Sequence, residues 1–338
     1  MKRIHKRWIS GAGMGLALSI ACTAAAPAFA DTAADDTVRV VAAATPETVA
    51  AAANIATTTN GENAIDATVA GIDITVPVDA ADGITFVGEN GTVSLGLPFA
   101  DRAESAEVER AGVVSYDNKN GSLTVPIVQN DGSIQVNTVI ERASAPTRYS
   151  YELDVPEGGS VKLEGGLVLI KNAEGAFVAV VAPAWAKDST GAEVPTHYEI
   201  DGDTLTQVVD HRSSPVAYPV VADPWMGIQL FTNFKRDTYS GDYRYSATVT
   251  GLGALVLSGG GGVGGYIAGQ AVFNGAGWDE WKAMWPAITN KATLQHQYNC
   301  HVAAGSLGLP FTGDYNLERF RANRSNWPAG VASHRCNW

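Results

Sequence analysis

The chain has 338 residues, with 35 Asp and Glu against 23 Lys and Arg, for a net charge of −12. That length is enough for two ordinary domains. The acidic balance excludes nucleic acid as a partner for most of the chain.

Residues 1–30 read as an export signal. Lys2, Arg3, Lys6 and Arg7 form a basic start, and Ile9 to Ala21 is apolar and uncharged. Ala28-Phe29-Ala30 is a small-x-small cleavage site, so the signal is expected to be cut after Ala30, leaving a secreted, extracellular protein. The apolar run, about thirteen residues, is short for a membrane span. Cys22 raises lipidation as an alternative, but Ser19 stands where a lipobox wants Leu.

Past the signal, charge is uneven. Residues 31–228 carry 10 basic and 29 acidic side chains, whereas 229–338 carry 9 and 6. Six of the eight tryptophans follow residue 224. Two regions of different chemistry are expected. A net of +3 in the second is too weak for a nucleic-acid footprint.

Residues 31–60 are rich in Ala and Thr. Thr45-Pro46-Glu47 can start a short helix, with Thr as N-cap and Pro at N1. The apolar residues there are mostly alanine with little to bury, so the stretch is expected to be a flexible or pro-segment spacer.

From 61 to 225 the pattern is β. Asp82-Gly83, Asn90-Gly91, Asn120-Gly121, Asp131-Gly132 and Asp201-Gly202 are turn dipeptides. Alternation through Leu123, Val125 and Ile127, then Ile134 and Val136, predicts a hairpin over 122–140. Residues 161–170 and 176–181 form another pair of β runs, and Ala217 to Trp225 reads as the closing strand. The expected fold is mainly β: a β-sandwich or jelly-roll-like module, then a smaller α+β C-terminal domain over 226–338.

That second domain opens with a β stretch, 242–250. Residues 251–273 carry no charge and nine glycines. Glycine costs about 1 kcal/mol per helical position relative to alanine, so a strand, a glycine loop and a second short buried element are expected. Membrane insertion is the alternative. Trp278, Trp281 and Trp285 share one face of a short helix stopped by Pro286. Core packing is the simpler role for them, and a sugar-stacking platform the other.

Leu294 to His301, LQHQYNCH, lies on a helix expected from an Asn290 cap to about Ala304. The chain ends HRCNW. Zinc binding by His296, Cys300, His334 and Cys336 lacks the short paired loops of structural zinc sites. A cysteine nucleophile gains nothing from His301, because helical neighbours diverge by about 100°. With Cys22 gone, Cys300 and Cys336 are the two remaining thiols of an exported chain, and a disulfide is the expectation. No metal, cofactor or catalytic residue is assigned. His301 sits on the apolar face and would need a partner. Gln297, His301, Asn316, Glu318, Arg319 and Arg321 form either a structural cluster or a recognition cluster. Acid/base hydrolysis by His301 and Glu318 is the third reading. Gly259-x-Gly261-x-x-Gly264 matches a dinucleotide pattern only as any glycine run does.

GWDEW (277–281), LQHQYNCH (294–301), DYNLERFR (314–321) and CNW (336–338) together resemble the C-terminal domain of exported actinobacterial proteins, a domain of unknown function. The stretches 145–159, 181–202 and YPVVADPW (218–225) resemble a β module of such proteins, and Rhs-type wall and toxin proteins carry a similar closing strand. The resemblance implies secretion, a two-domain split and paired cysteines. It implies no activity. A non-enzymatic binding module whose partner is a cell-wall or envelope component is expected, with no nucleic acid, no membrane span and no assigned oligomeric state. The alternatives are an antibacterial effector with a membrane-active glycine segment, and an envelope hydrolase.

Overall fold

The computed structural model describes residues 30–88, 90–259, 263–307 and 314–338. The expected signal, with Cys22, lies outside them, as does Gly261 of the glycine run.

Two antiparallel sheets form a β-sandwich. The first has the spatial order Asn63–Val69, Ile72–Pro77, Ile84–Gly88, Gly91–Leu95, Arg148–Asp154, Thr204–Val209 and Thr196–Asp201. The second runs Ser160–Glu164, Leu167–Lys171, Phe177–Val181, Trp225–Gly227, Ile134–Ile140, Ser122–Val128, Val113–Asp117 and Glu107–Arg110. Val220–Ala222 also pairs with Ile134–Ile140, so the YPVVADPW stretch runs through the sheet interior and its second strand reaches Gly227. Ile74, Phe86, Leu95 and Tyr151 of the first sheet meet Val114, Val136, Ile170 and Val181 of the second in one core.

The turn dipeptides act as their chemistry suggests. Asn90-Gly91, Asn120-Gly121, Asp131-Gly132 and Asp201-Gly202 each join antiparallel neighbours, while Asp82-Gly83 closes a short 3-10 turn. Gly132 has φ +80°, and a Cβ there would lie 2.7 Å from the Val69 carbonyl, so only glycine fits. The run 161–170 is itself a hairpin, broken at Gly165-Gly166, giving three strands where two runs are expected.

Burial separates the two sheets. Arg148–Asp154 alternates exposed and buried along its length, as a strand with one solvated face should. Ile134–Ile140 is buried throughout, because helices cover the outer face of the second sheet. One cover is N-terminal: α1 (Ala30–Ala44) and α2 (Pro46–Ala50). Val41 and Ala44 are buried there, packed with Val113, Val125, Ile127, Val139 and Val221. This corrects the flexible spacer expected over 31–60. Val38, Val40 and Val49 pack against the same cluster, so the valines and a buried alanine together supply the burial. Thr45 is the N-cap residue and Pro46 follows, but the Thr45 hydroxyl bonds the side chains of Glu47 and Thr48 rather than the helix backbone.

The C-terminal domain covers the rest of that face. Its sheet holds Phe231–Tyr239, Asp242–Val249 and Asp314–Glu318. Helices α3 (Gly251–Ser258), α4 (Val263–Val272), α5 (Trp278–Met284), α6 (Ala292–Ser306) and α7 (Val331–His334) complete the α+β unit. Phe231 sits edge-on to Phe273, Tyr315 and Trp281 at centroid distances of 5.4, 5.1 and 5.6 Å. Trp278 and Trp281 are buried in that core, which removes them as a sugar platform. Leu167, Leu169, Val180 and Ala182 of the second sheet join the same cluster as Leu252 and Val256 of α3. Gly251 N–H donates to Asp131 Oδ2 at 3.0 Å across the junction, and within the sandwich Trp225 Nε1 donates to Ser133 Oγ at 2.8 Å.

The described parts of the glycine-rich segment, Gly251–Ser258 and Val263–Val272, are α-helical where a strand and a second short element are expected, and the central glycines 260–262 lie outside the described residues. Glycines in these helices lie where backbones touch: a Cβ at Gly269 would come 2.1 Å from the Val256 carbonyl oxygen, and one at Gly265 2.0 Å from that of Gly259. Close backbone approach between α3 and α4 overrides the propensity penalty. Among the described residues no helix is long and apolar enough to cross a membrane. Helix α6 starts at Ala292 with Lys291 as its N-cap, one residue after the expected cap Asn290.

Candidate functional site

The LQHQYNCH helix forms a latch. Cys300 and Cys336 are joined in a disulfide with Cα atoms 5.4 Å apart, and both are fully buried beside Trp327, Val331 and Trp338. Neither sulfur is a thiolate, so zinc and nucleophile readings lose their donor. His334 uses both ring nitrogens inside the tail, with Trp327 O at 2.9 Å and Cys336 N at 3.1 Å. No group of three metal-ligating side chains occurs among the described residues.

Gln297 imitates a neighbouring strand. Its Oε1 accepts from Glu318 N at 2.8 Å and its Nε2 donates to Glu318 O at 3.0 Å. This satisfies part of the exposed edge of Asp314–Glu318. The Asn337 amide, oriented to suit its neighbours, donates to Gln297 Oε1 at 3.2 Å and Asn316 O at 3.0 Å. The tail thus closes over the same edge. His301 is 2% exposed and lies flat on Tyr315, ring centroids 4.8 Å apart. Its nitrogens have no hydrogen bond of normal geometry. Burial pushes its pKa down to about 4, offset only in part by the Asn316 backbone. The ring is therefore neutral and enclosed.

Of the remaining members, Glu318 is buried and Asn316, Arg319 and Arg321 are half-buried. Glu318 pairs with Arg321 at 2.5 Å, and Arg321 also donates to the Trp338 carbonyl at 2.6 Å. Arg319 pairs with Asp242 at 3.0 Å, and Asn316 Oδ1 accepts from Ser246 at 2.7 Å. The six residues are thus contiguous through one strand but split in role. Gln297 and His301 are closed inside, whereas Arg319 and Arg321 border a surface.

That surface is aromatic. Among the described residues, the three most exposed tyrosine, tryptophan and phenylalanine residues are Tyr243 (46%), Tyr239 (41%) and Phe320 (36%). All three lie at one end of the third sheet. Tyr239 and Phe320 are adjacent, centroids 5.9 Å apart. Arg244 lies over Tyr239 and Arg321 over Phe320, each guanidinium 4.7 Å from the ring centre. Arg244 is held by Asp237 through two bonds of 3.0 and 2.6 Å. That pairing holds the Asp237 carboxyl below the usual range. Register sets Tyr243 opposite Thr238 and Tyr239 opposite Asp242, so the tyrosines leave opposite sides of the hairpin. Arg236 stacks on Tyr243 at 4.9 Å on the second side. The product is two exposed rings flanked by fixed planar donors, with their charges already paired.

Sequence reasoning missed Tyr239, Tyr243 and Phe320. The available signal was Tyr-Ser-Gly-Asp-Tyr-Arg-Tyr, a tight turn between aromatic and basic residues, where Ser240 and Gly241 both have positive φ. No protein-family model matches the chain, and no curated protein matches it either.

Proposed function

We propose that the protein is exported and acts without catalysis, as a module that binds a cell-wall or envelope glycan through the outer end of its third sheet. The observation that supports this most is the concentration of exposed aromatic rings at Tyr239, Tyr243 and Phe320, each under a guanidinium. Sugars present flat C–H faces to such rings and hydroxyls to fixed polar neighbours. Enriched aromatic and arginine residues are also what binding centres favour. His301 and Glu318 fit a hydrolase poorly, since the histidine is sealed under Tyr315 and the carboxylate is engaged by Arg321. The disulfide accords with an oxidising compartment.

The test is co-sedimentation of the purified, unreduced protein with insoluble envelope polysaccharide. Binding that falls about tenfold in Tyr239→Ala and Phe320→Ala, with folding unchanged, supports the reading. Equal sedimentation of wild type and both variants removes it. For export, the secreted protein is expected to begin at Asp31; a start well inside α1 or an uncut amino terminus overturns that part.

A further inference from the structure

A cleft of about 570 Å³ opens where the sandwich meets the C-terminal domain. Ile72 and Phe177 line it from the two sheets of the sandwich, Ile228 from the connection, and Phe234 and Met284 from the C-terminal domain. Neither region forms it alone. The size suits a small ligand, and such sites pair an apolar lining with a few polar groups. Most polar groups here are already used. Asn90 donates to the Phe177 carbonyl at 2.9 Å, Gln229 donates to Ala70 O at 3.3 Å, and Asp279 pairs with Lys282 at 2.5 Å.

Glu280 is the exception. Its two oxygens each accept one backbone N–H, from Leu230 at 2.8 Å and Phe231 at 2.9 Å. Among the described lining residues there is no basic side chain, and Asp279 and Glu280 are the ionisable groups. Lys282 is committed to Asp279 on the same helix, and the buried Tyr298, whose pKa is raised well above the ordinary value chiefly by burial, is a neutral phenol. A carboxylate has about four lone-pair sites, so two stay free. The cleft therefore presents a carboxyl group with free acceptor sites and no counter-ion, within a largely apolar lining.

We propose that this cleft is a second binding site, independent of the aromatic surface, for cationic ligands with an apolar body: a guanidinium or ammonium seated on Glu280, with an aromatic or aliphatic part against Phe177, Phe234 and Met284. Desolvation outweighs the two backbone bonds and raises the Glu280 carboxyl to about 8. Near neutrality the group is largely protonated, and a bound cation makes it ionise. Binding then releases a proton and tightens as pH rises towards 8.

Tryptophan emission reports occupancy, because Phe234 touches both Trp281 and Trp285, at 5.7 and 5.6 Å. The full oxidised chain is titrated with benzylguanidinium, benzyl alcohol and benzoate at pH 6 and pH 8.5. The expected result is benzylguanidinium binding at least tenfold tighter than benzyl alcohol at pH 8.5, with benzoate weakest and the preference shrinking several-fold at pH 6. Met284→Ala, at an exposed position, weakens the cation and the alcohol alike. Glu280→Gln brings the cation down to the alcohol's affinity. Equal affinity for all three probes in the wild type, or no binding of any, overturns the proposal without recourse to a variant. A preference that survives Glu280→Gln in a protein of unchanged far-ultraviolet spectrum overturns it as well.

Discussion

The sandwich and the C-terminal domain solve the same problem with different means. The sandwich gathers 37 buried residues into one core between two sheets, and its second sheet is covered on the outside as well. It contains no cysteine. The C-terminal domain, roughly a third of the chain, supplies 18 of the 22 buried residues in a smaller cluster among the described residues and relies on large rings, a disulfide and a side-chain amide pinned to a strand edge. Surface grows relative to volume as domains shrink, so a small unit needs anchors that a large one does not. The charge contrast follows the same division: the acidic sandwich is the scaffold, and the mildly basic, aromatic unit carries the exposed rings.

The comparison breaks first at the anchors. Replacing both Cys300 and Cys336 by Ser is expected to cost the C-terminal domain about 4 kcal/mol in the chain-entropy treatment of a loop this long. The sandwich should hardly change. Urea unfolding followed by tryptophan emission should then split from the far-ultraviolet β signal, and a single shared transition would show the two units to be one. Trp281→Ala removes the largest fully buried side chain, at a cost of about 3–5 kcal/mol. It should move the emission transition far more than the β signal.

Gly269→Val places a side chain against the Val256 carbonyl and should cost about 3 kcal/mol through overpacking. Thermal unfolding checks it, and a stable Val variant would mean that α3 and α4 do not pack as described. Acid should act next. His301 has its pKa lowered to about 4, so the stability it contributes is full above its unfolded value near 6.5 and is lost as pH falls through 4. The loss is of order 3 kcal/mol, and it should vanish in His301→Phe when stability is measured from pH 7 to pH 4. The smallest effect is Gln297→Ala. It strands the Glu318 N–H and C=O at a cost of about 1–3 kcal/mol, read by faster amide exchange along Asp314–Glu318.

Much of the β architecture was legible in residues. Turn dipeptides with glycine at positive φ, and alternation at Leu123, Val125 and Ile127, set the hairpins. Cysteine arithmetic set the disulfide. The helical character of Gly251–Ser258 and Val263–Val272 was not legible, because propensity counts glycine as a cost and cannot see that a missing Cβ lets two backbones meet. Residues 31–60 hid for a related reason: four valines among many alanines are a weak periodic signal, and their value depends on a sheet face supplied from elsewhere. The chemistry at 294–301 and 314–321 stood out in the sequence, yet half of it, Gln297 and His301, serves closure. The rings at Tyr239 and Phe320 are brought together only by strand pairing between segments some eighty positions apart.

One consequence of the Gln297 clasp reaches past stability. A carboxamide that reads a strand's backbone, not its side chains, holds that edge whatever side chain stands at the exposed position 320. The domain thus keeps its hinge pins and its display face on separate positions of one short ribbon, a layout in which the display can diverge while the hardware stays fixed.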